Sequence, residues 1–134
     1  MRPGEYQHII LDVQGQVATI VLNRPEVRNA LDVQTLLELT DCFSQLGVSP
    51  KKSTVGCAIR VIILKGAGPD FCAGADIRWM RRASDFSKAQ SRKDAAQLLR
   101  ALCAIDESPI QVIGKIHGGT YGGGVGRVSA CDIF

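Results

Sequence analysis

Two segments combine residue types that bring main-chain chemistry within reach of a ligand. Residues 62–77, "IILKGAGPDFCAGADI", and 112–126, "VIGKIHGGTYGGGVG", each run from apolar residues through small ones toward a helical stretch. Four of the five residues 122–126 are glycine, although glycine inside a helix costs roughly 1 kcal/mol relative to alanine. A turn does not need that many. Bare amides at a helix N-terminus are unsatisfied donors at the positive end of a dipole, suited to an anion or a polarised carbonyl oxygen. Three readings stay open. Close packing of a helix on a sheet would by itself account for small residues. A dinucleotide loop is half-matched by "GVGRVS", but that fingerprint calls for a later strand with an acidic residue ~20 positions on, and the sequence runs to Phe134. The third is an oxyanion hole, with one N–H from each corner directed at one oxygen.

The elements that must position these corners are legible as an α/β plan. "HIILDVQGQVATIVLNRP" predicts a hairpin turning at Gln14-Gly15-Gln16 and stopped by Pro25. "LDVQTLLELTDCFSQLG" predicts a helix capped by Asp32 and stopped by Gly47, with a stripe of Val33, Leu36, Leu37, Thr40, Phe43 and Leu46. Residues 48–59 read as a surface loop. "RVIILKGAG" predicts a strand buried on both faces of a parallel sheet. The strongest helix is expected over 84–105, capped by Ser84 or Asp85, with Ala95, Leu98, Leu99, Leu102 and Ile105 inward. "IQVIGKIHG" predicts a further strand, and a glycine-started helix follows. The order is β-β-α-β-α-α-β-α, with crossovers joining parallel strands.

Composition bounds the function. The 134 residues suit one domain, 1–134; 46% are hydrophobic and 22% charged, an ordinary globular balance. A net charge of +3 is too small and scattered to argue for nucleic acid; it suits an anionic small ligand or a solvated basic surface. No apolar run reaches the ~18 residues of a membrane helix. The N-terminus has no signal-peptide core, so a cytoplasmic location is expected. Five cysteines without a CxxC pair predict reduced, mostly buried thiols, with neither disulfides nor a metal site. Cys72 alone lies in a glycine corner, and no neighbour in sequence supplies a base to activate it.

"NRPEVRNALD", "FCAGADIRWM" and "GGTYGGGVGRVSACDI", in that order, resemble the enoyl-CoA hydratase/isomerase (crotonase) superfamily. The resemblance covers nearly the whole chain, interrupted near residues 47–59. The details "ADIRWMRRA" and "YGGGVG" are most similar to the methylglutaconyl-CoA hydratase-like branch. This implies the N-terminal portion of a crotonase-like repeated ββα spiral, with the C-terminal part absent. It implies an acyl-CoA thioester as substrate, coenzyme A being part of it rather than a separate cofactor, and assembly into homotrimers or hexamers.

By the same resemblance, the amides of Ala75 and Gly123 form the oxyanion hole. The backbone near Ala73 and Ile77 holds the adenine end of coenzyme A, and Asp76 lies beside it as a helix anchor. Arg24 and Arg28 are candidates for its phosphates, and Tyr121 lines the acyl pocket. The implied reaction is hydration of an α,β-unsaturated, branched enoyl-CoA. The alternatives are double-bond isomerisation and non-catalytic CoA binding or oligomerisation. The family's first acid/base glutamate falls on Gly126, and its second lies beyond "ACDI". His117 is expected to be hydrogen-bonded rather than catalytic, and Asp106 and Glu107 solvated.

Overall fold

The computed structural model describes residues 5–48 and 58–134; most of the expected surface loop lies outside them. Strands β1 (Ile9–Gln14), β2 (Val17–Leu22), β3 (Val61–Gly66) and β4 (Gln111–Lys115) form one sheet in the order β1-β2-β3-β4. β1 and β2 are antiparallel through the two-residue turn Gly15-Gln16, where Gly15 takes φ +60°. β2, β3 and β4 are parallel, which requires the helical crossovers between them. The helices are α1 (Val33–Leu46), α2 (Ile77–Ala83), α3 (Lys88–Asp106) and α4 (Gly123–Ala130), and a 3₁₀ turn spans Pro25–Val27. The element order is the one the sequence predicts.

Register explains where the core sits. Ala18 pairs with Ile62 and Ile62 with Val112, while Ile20 pairs with Leu64. All five side chains are fully buried on one face, against Leu39, Cys42, Phe43 and Leu46 of α1 and Ile105 of α3. The four larger ones, Ile20, Ile62, Leu64 and Val112, each contribute about 2 kcal/mol of transfer free energy. The opposite face of β3 carries Val61, Ile63 and Lys65, which are only half-buried. The expectation of burial on both faces is therefore corrected: one face is covered and the other partly so.

Asp32 caps α1, its carboxylate accepting from Thr35 N at 2.9 Å. Gly47 ends it, but with φ −77°, so the stop uses no left-handed residue. The inward stripe of α1 is rotated from the predicted one. Leu36, Phe43 and Leu46 are buried as expected, but Thr35, Glu38, Leu39 and Cys42 are buried where Val33, Leu37 and Thr40 were expected.

The long helix begins later than predicted. Ser84 Oγ donates back to Arg81 O, and the amides of Asp85 and Phe86 close onto Arg82 O and Ala83 O. Those residues finish α2, and Ser87 caps α3 instead. Asp94 accepts from Trp79 Nε1 at 2.8 Å and Gln90 Nε2 at 3.0 Å, which turns its face of α3 toward α2. Consequently Asp94, Ala101 and Ile105 are buried, whereas Leu99 is 61% exposed. No described helix is long and apolar enough to cross a membrane.

Glu38 is one of the buried polar residues. It is fully buried, and its carboxylate accepts from the backbone amides of Gln7 (2.8 Å), His8 (2.8 Å) and Ile9 (3.1 Å), with Gln34 Nε2 as a fourth donor. This ties the start of the edge strand to the middle of α1. Truncation strands the buried Ile9 amide and breaks three part-buried bonds, so Glu38→Ala is expected to lower unfolding free energy in urea by about 3 kcal/mol. Glu38→Gln, which keeps the acceptor oxygen, loses less.

Candidate functional site

The two glycine corners meet backbone to backbone. The amides of Phe71 and Cys72 donate to Gly119 O, and Tyr121 N returns a 2.9 Å bond to Cys72 O. Asp70 Oδ1 accepts from Gly119 N at 2.7 Å. Gly118 has φ +61°, and any Cβ there would overlap Pro69 O. Gly74 holds φ +89°, a backbone conformation that favours glycine, and a Cβ there would crowd Tyr121 O at 3.0 Å and lie 3.7 Å from Gly122 Cα. Close packing, the first of the three sequence readings, therefore explains these two glycines.

It does not explain which amides are left over. Leu31 and Ala75 form a parallel bridge: Leu31 N donates to Gly74 O at 2.7 Å and Asp76 N to Leu31 O at 2.8 Å. That geometry turns the Ala75 N–H away from Leu31. Gly123 opens α4, where no preceding turn supplies an acceptor. Gly124 N and Val125 N close onto Tyr121 O and Gly122 O. Among the described residues neither Ala75 N–H nor Gly123 N–H has a protein acceptor. Leu31 adjoins both, since a Cβ on Gly123 would come within 2.9 Å of its Cδ1.

A cavity of about 400 Å³ opens beside the first corner. Its lining includes Arg28, Ala73, Ala75, Asp76 and Ile77 from the predicted set, with Glu26 and Val27. Gly123 lies outside that lining, and Tyr121 is 61% exposed. Arg28 adopts φ +53° in the turn after Pro25, and its side chain is 71% exposed, with Nε 3.6 Å from Asp70 Oδ2. It is free to reach an anion.

Arg24 is not. Its guanidinium is buried, donating to Ala30 O at 2.6 Å and Asp76 Oδ2 at 3.0 Å, and lies 3.4 Å from Asp32 Oδ2. The expectation of a phosphate ligand at Arg24 is corrected: its charge is already spent on two carboxylates, and it ties the caps of α1 and α2 together. Asp76 is the cap of α2, accepting from Arg78 N at 2.8 Å. His117 Nε2 lies 2.7 Å from Gly68 O, and Asp106 and Glu107 are exposed. Gly126 faces Leu102, where a side chain would make ordinary contact.

Sequence reading missed Asn29. It is buried with φ +55°, its Oδ1 accepts from Arg24 N at 2.8 Å, and its Nδ2 donates to Ala67 O and Asp70 O. It pins the loop bearing Arg28 to the corner bearing Ala75. The available signal was an asparagine between turn and helix, the residue type that tolerates a left-handed backbone.

Burial alone would push the Asp76 carboxyl up, but hydrogen bonds from Arg78 and Arg24 and the Arg78 charge outweigh it and hold it down at about 2. A lowered folded-state pKa adds stability that is complete above about pH 4 and is lost as pH falls through about 2. Asp76→Asn is expected to cost about 2 kcal/mol at neutral pH. Chemical unfolding followed against pH should show the two proteins converging near pH 2.

The sequence profile described as enoyl-CoA hydratase/isomerase matches residues 12–134. A Delta(3,5)-Delta(2,4)-dienoyl-CoA isomerase, mitochondrial, from Mus musculus is 38% identical over 92% of this chain and 38% of its own length. The peroxisomal enzyme of that name from Arabidopsis thaliana is 33% identical over 91% of this chain and 45% of its own. The crystal structure of an enoyl-CoA hydratase from Shewanella pealeana superposes with a TM-score of 0.89 at 27% identity, covering 98% of this chain and 47% of that one. The chain thus spans less than half the length of these relatives.

Proposed function

The chain belongs to the enoyl-CoA hydratase/isomerase family, and from that premise we propose that it binds an acyl-CoA thioester and stabilises its enolate. The observation that carries this reading is the pair of Ala75 and Gly123 amides, each without an acceptor among the described residues, one residue beyond two glycines in backbone contact. A thioester oxygen accepting from both becomes more negative when a proton leaves the α-carbon and the electron pair moves onto that oxygen. Donors fixed beforehand are worth about 3 kcal/mol each toward such a charge. The cavity lined by Ala73 and Ile77 takes the nucleotide end of coenzyme A, and Arg28 supplies a cation for its phosphates.

Two reactions pass through such an enolate. Loss of the α-proton followed by reprotonation farther along the chain moves a double bond, and the dienoyl-CoA isomerase names of the two relatives favour this reaction. Hydration is the second reading, favoured by the name of the structural relative: a water oxygen bonds to the β-carbon and loses a proton, the π electrons move onto the thioester oxygen, and the α-carbon then takes up a proton. Gly126 contributes no carboxyl to either, so the group moving the proton must come from elsewhere in the assembled enzyme. Exposed Met80, Leu99 and Val125 support assembly into trimers or hexamers. The expected cytoplasmic location draws no support from relatives named mitochondrial and peroxisomal.

Calorimetry with paired ligands tests the thioester site without perturbing the fold. A saturated acyl-CoA thioester should bind at least ~10-fold tighter than the thioether lacking only the carbonyl oxygen, the loss expected when two donors go unpaired. Equal affinities would sink the reading. Gly126→Glu, at a position where a Cβ makes only ordinary contact with Leu102, is expected to raise turnover of a 3,5-dienoyl-CoA or an enoyl-CoA by roughly 100-fold. Ultraviolet absorbance of the product identifies which reaction runs.

A further inference from the structure

Arg127 is the largest fully buried side chain among the described residues. Its Nε and Nη2 have no hydrogen-bond partner among them, and Nη1 makes one long bond, 3.4 Å, to Gly123 O. No described carboxylate forms an ion pair with it. Burial lowers its pKa to about 10, which still leaves it protonated at neutral pH. Cys72, its titratable neighbour, has its thiol pushed up by burial and supplies no anion.

The placement runs against stability twice. An uncompensated buried cation carries a desolvation penalty of several kcal/mol. Helical side chains lean toward the N-terminus, and Arg127 reaches back one turn to Gly123, at the end of α4 that is already positive. A residue that breaks local rules this way, with no compensating contact, marks a functional position. What the site lacks is a negative charge near Gly123, and an enolate oxygen at the Gly123 N–H is one.

We propose that Arg127 is a positioning residue for the thioester oxygen: acting through the first turn of α4, its charge raises the positive potential at the Gly123 amide and favours the enolate form of a bound acyl-CoA. This rests on the thioester reading above. Arg127 transfers no proton and touches no substrate atom. Its contribution is a fixed charge in a water-excluded setting, where the effective dielectric constant is far below that of water.

Acetoacetyl-CoA reports this directly, because its enolate absorbs in the near ultraviolet and its keto form does not. Enolate absorbance at saturating protein and fixed pH is compared with affinity for a CoA thioether, which cannot enolise. Arg127→Met is expected to lower the enolate-to-keto ratio about tenfold, leave thioether affinity unchanged, and raise or preserve Tm. Arg127→Lys should retain most of the enolate signal. An unchanged ratio in the Met variant overturns the proposal, as does an equal fall in the Met and Lys variants, which would make packing rather than charge responsible. Should the Met variant fail to fold by circular dichroism, Arg127→Gln replaces it under the same criteria. Wild-type protein that binds the thioether but shows no preference for acetoacetyl-CoA overturns the thioester reading itself, a result distinct from a preference that survives loss of the Arg127 charge.

Discussion

Everything at the candidate site depends on two loops lying backbone against backbone. The bonds joining residues 71 and 72 to Gly119, and Tyr121 back to Cys72, form a short backbone ladder beyond the ends of the parallel strands. Gly118 admits no side chain, and the left-handed backbone at Gly74 favours glycine. Because β3 and β4 are neighbours in the sheet, the sheet itself brings the loops to the same edge. Steric exclusion then sets their separation, and the direction of each remaining N–H follows from the bonds its neighbours have already made.

The sequence displayed that arrangement unevenly. Strands, turn and element order were readable because alternation, Gly15 and Pro25 are local signals. The two corners were readable because glycine density has few other uses. Burial faces were less so: the α1 stripe shifted because Glu38, polar by type, is held inside by the amides of Gln7, His8 and Ile9, and the α3 stripe because Asp94 takes the Trp79 indole. Arg24 and Arg28 look equivalent in "NRPEVRN", yet one is enclosed by Asp32 and Asp76 and the other is open to solvent. Nothing local distinguishes them. Their difference is made by residues up to 52 positions away. Arg127 was invisible for the same reason, since one arginine in a small-residue helix reads as a surface charge.

The buried ionic groups fall into two kinds. Glu38 and the Arg24–Asp32–Asp76 cluster are satisfied, each charge meeting donors or acceptors that compensate its removal from water, and they fix how elements join. Among the described residues Arg127 is not satisfied, and it lies beside a helix end built of glycine. The division follows location: compensated charges hold the frame, and the uncompensated one reaches back to Gly123 in the first turn of α4.

The Glu38 attachment has a consequence for how the molecule opens. β1 is an edge strand, and Gln7 and His8 precede its first paired residue, so their amides would ordinarily exchange with solvent by fraying. Here the acceptor for both belongs to α1, which is packed into the core. Fraying of the sheet margin therefore has to break the same bonds that separate the first helix from it, and deuterium uptake at those two positions follows the cooperative opening of the domain rather than that of its border.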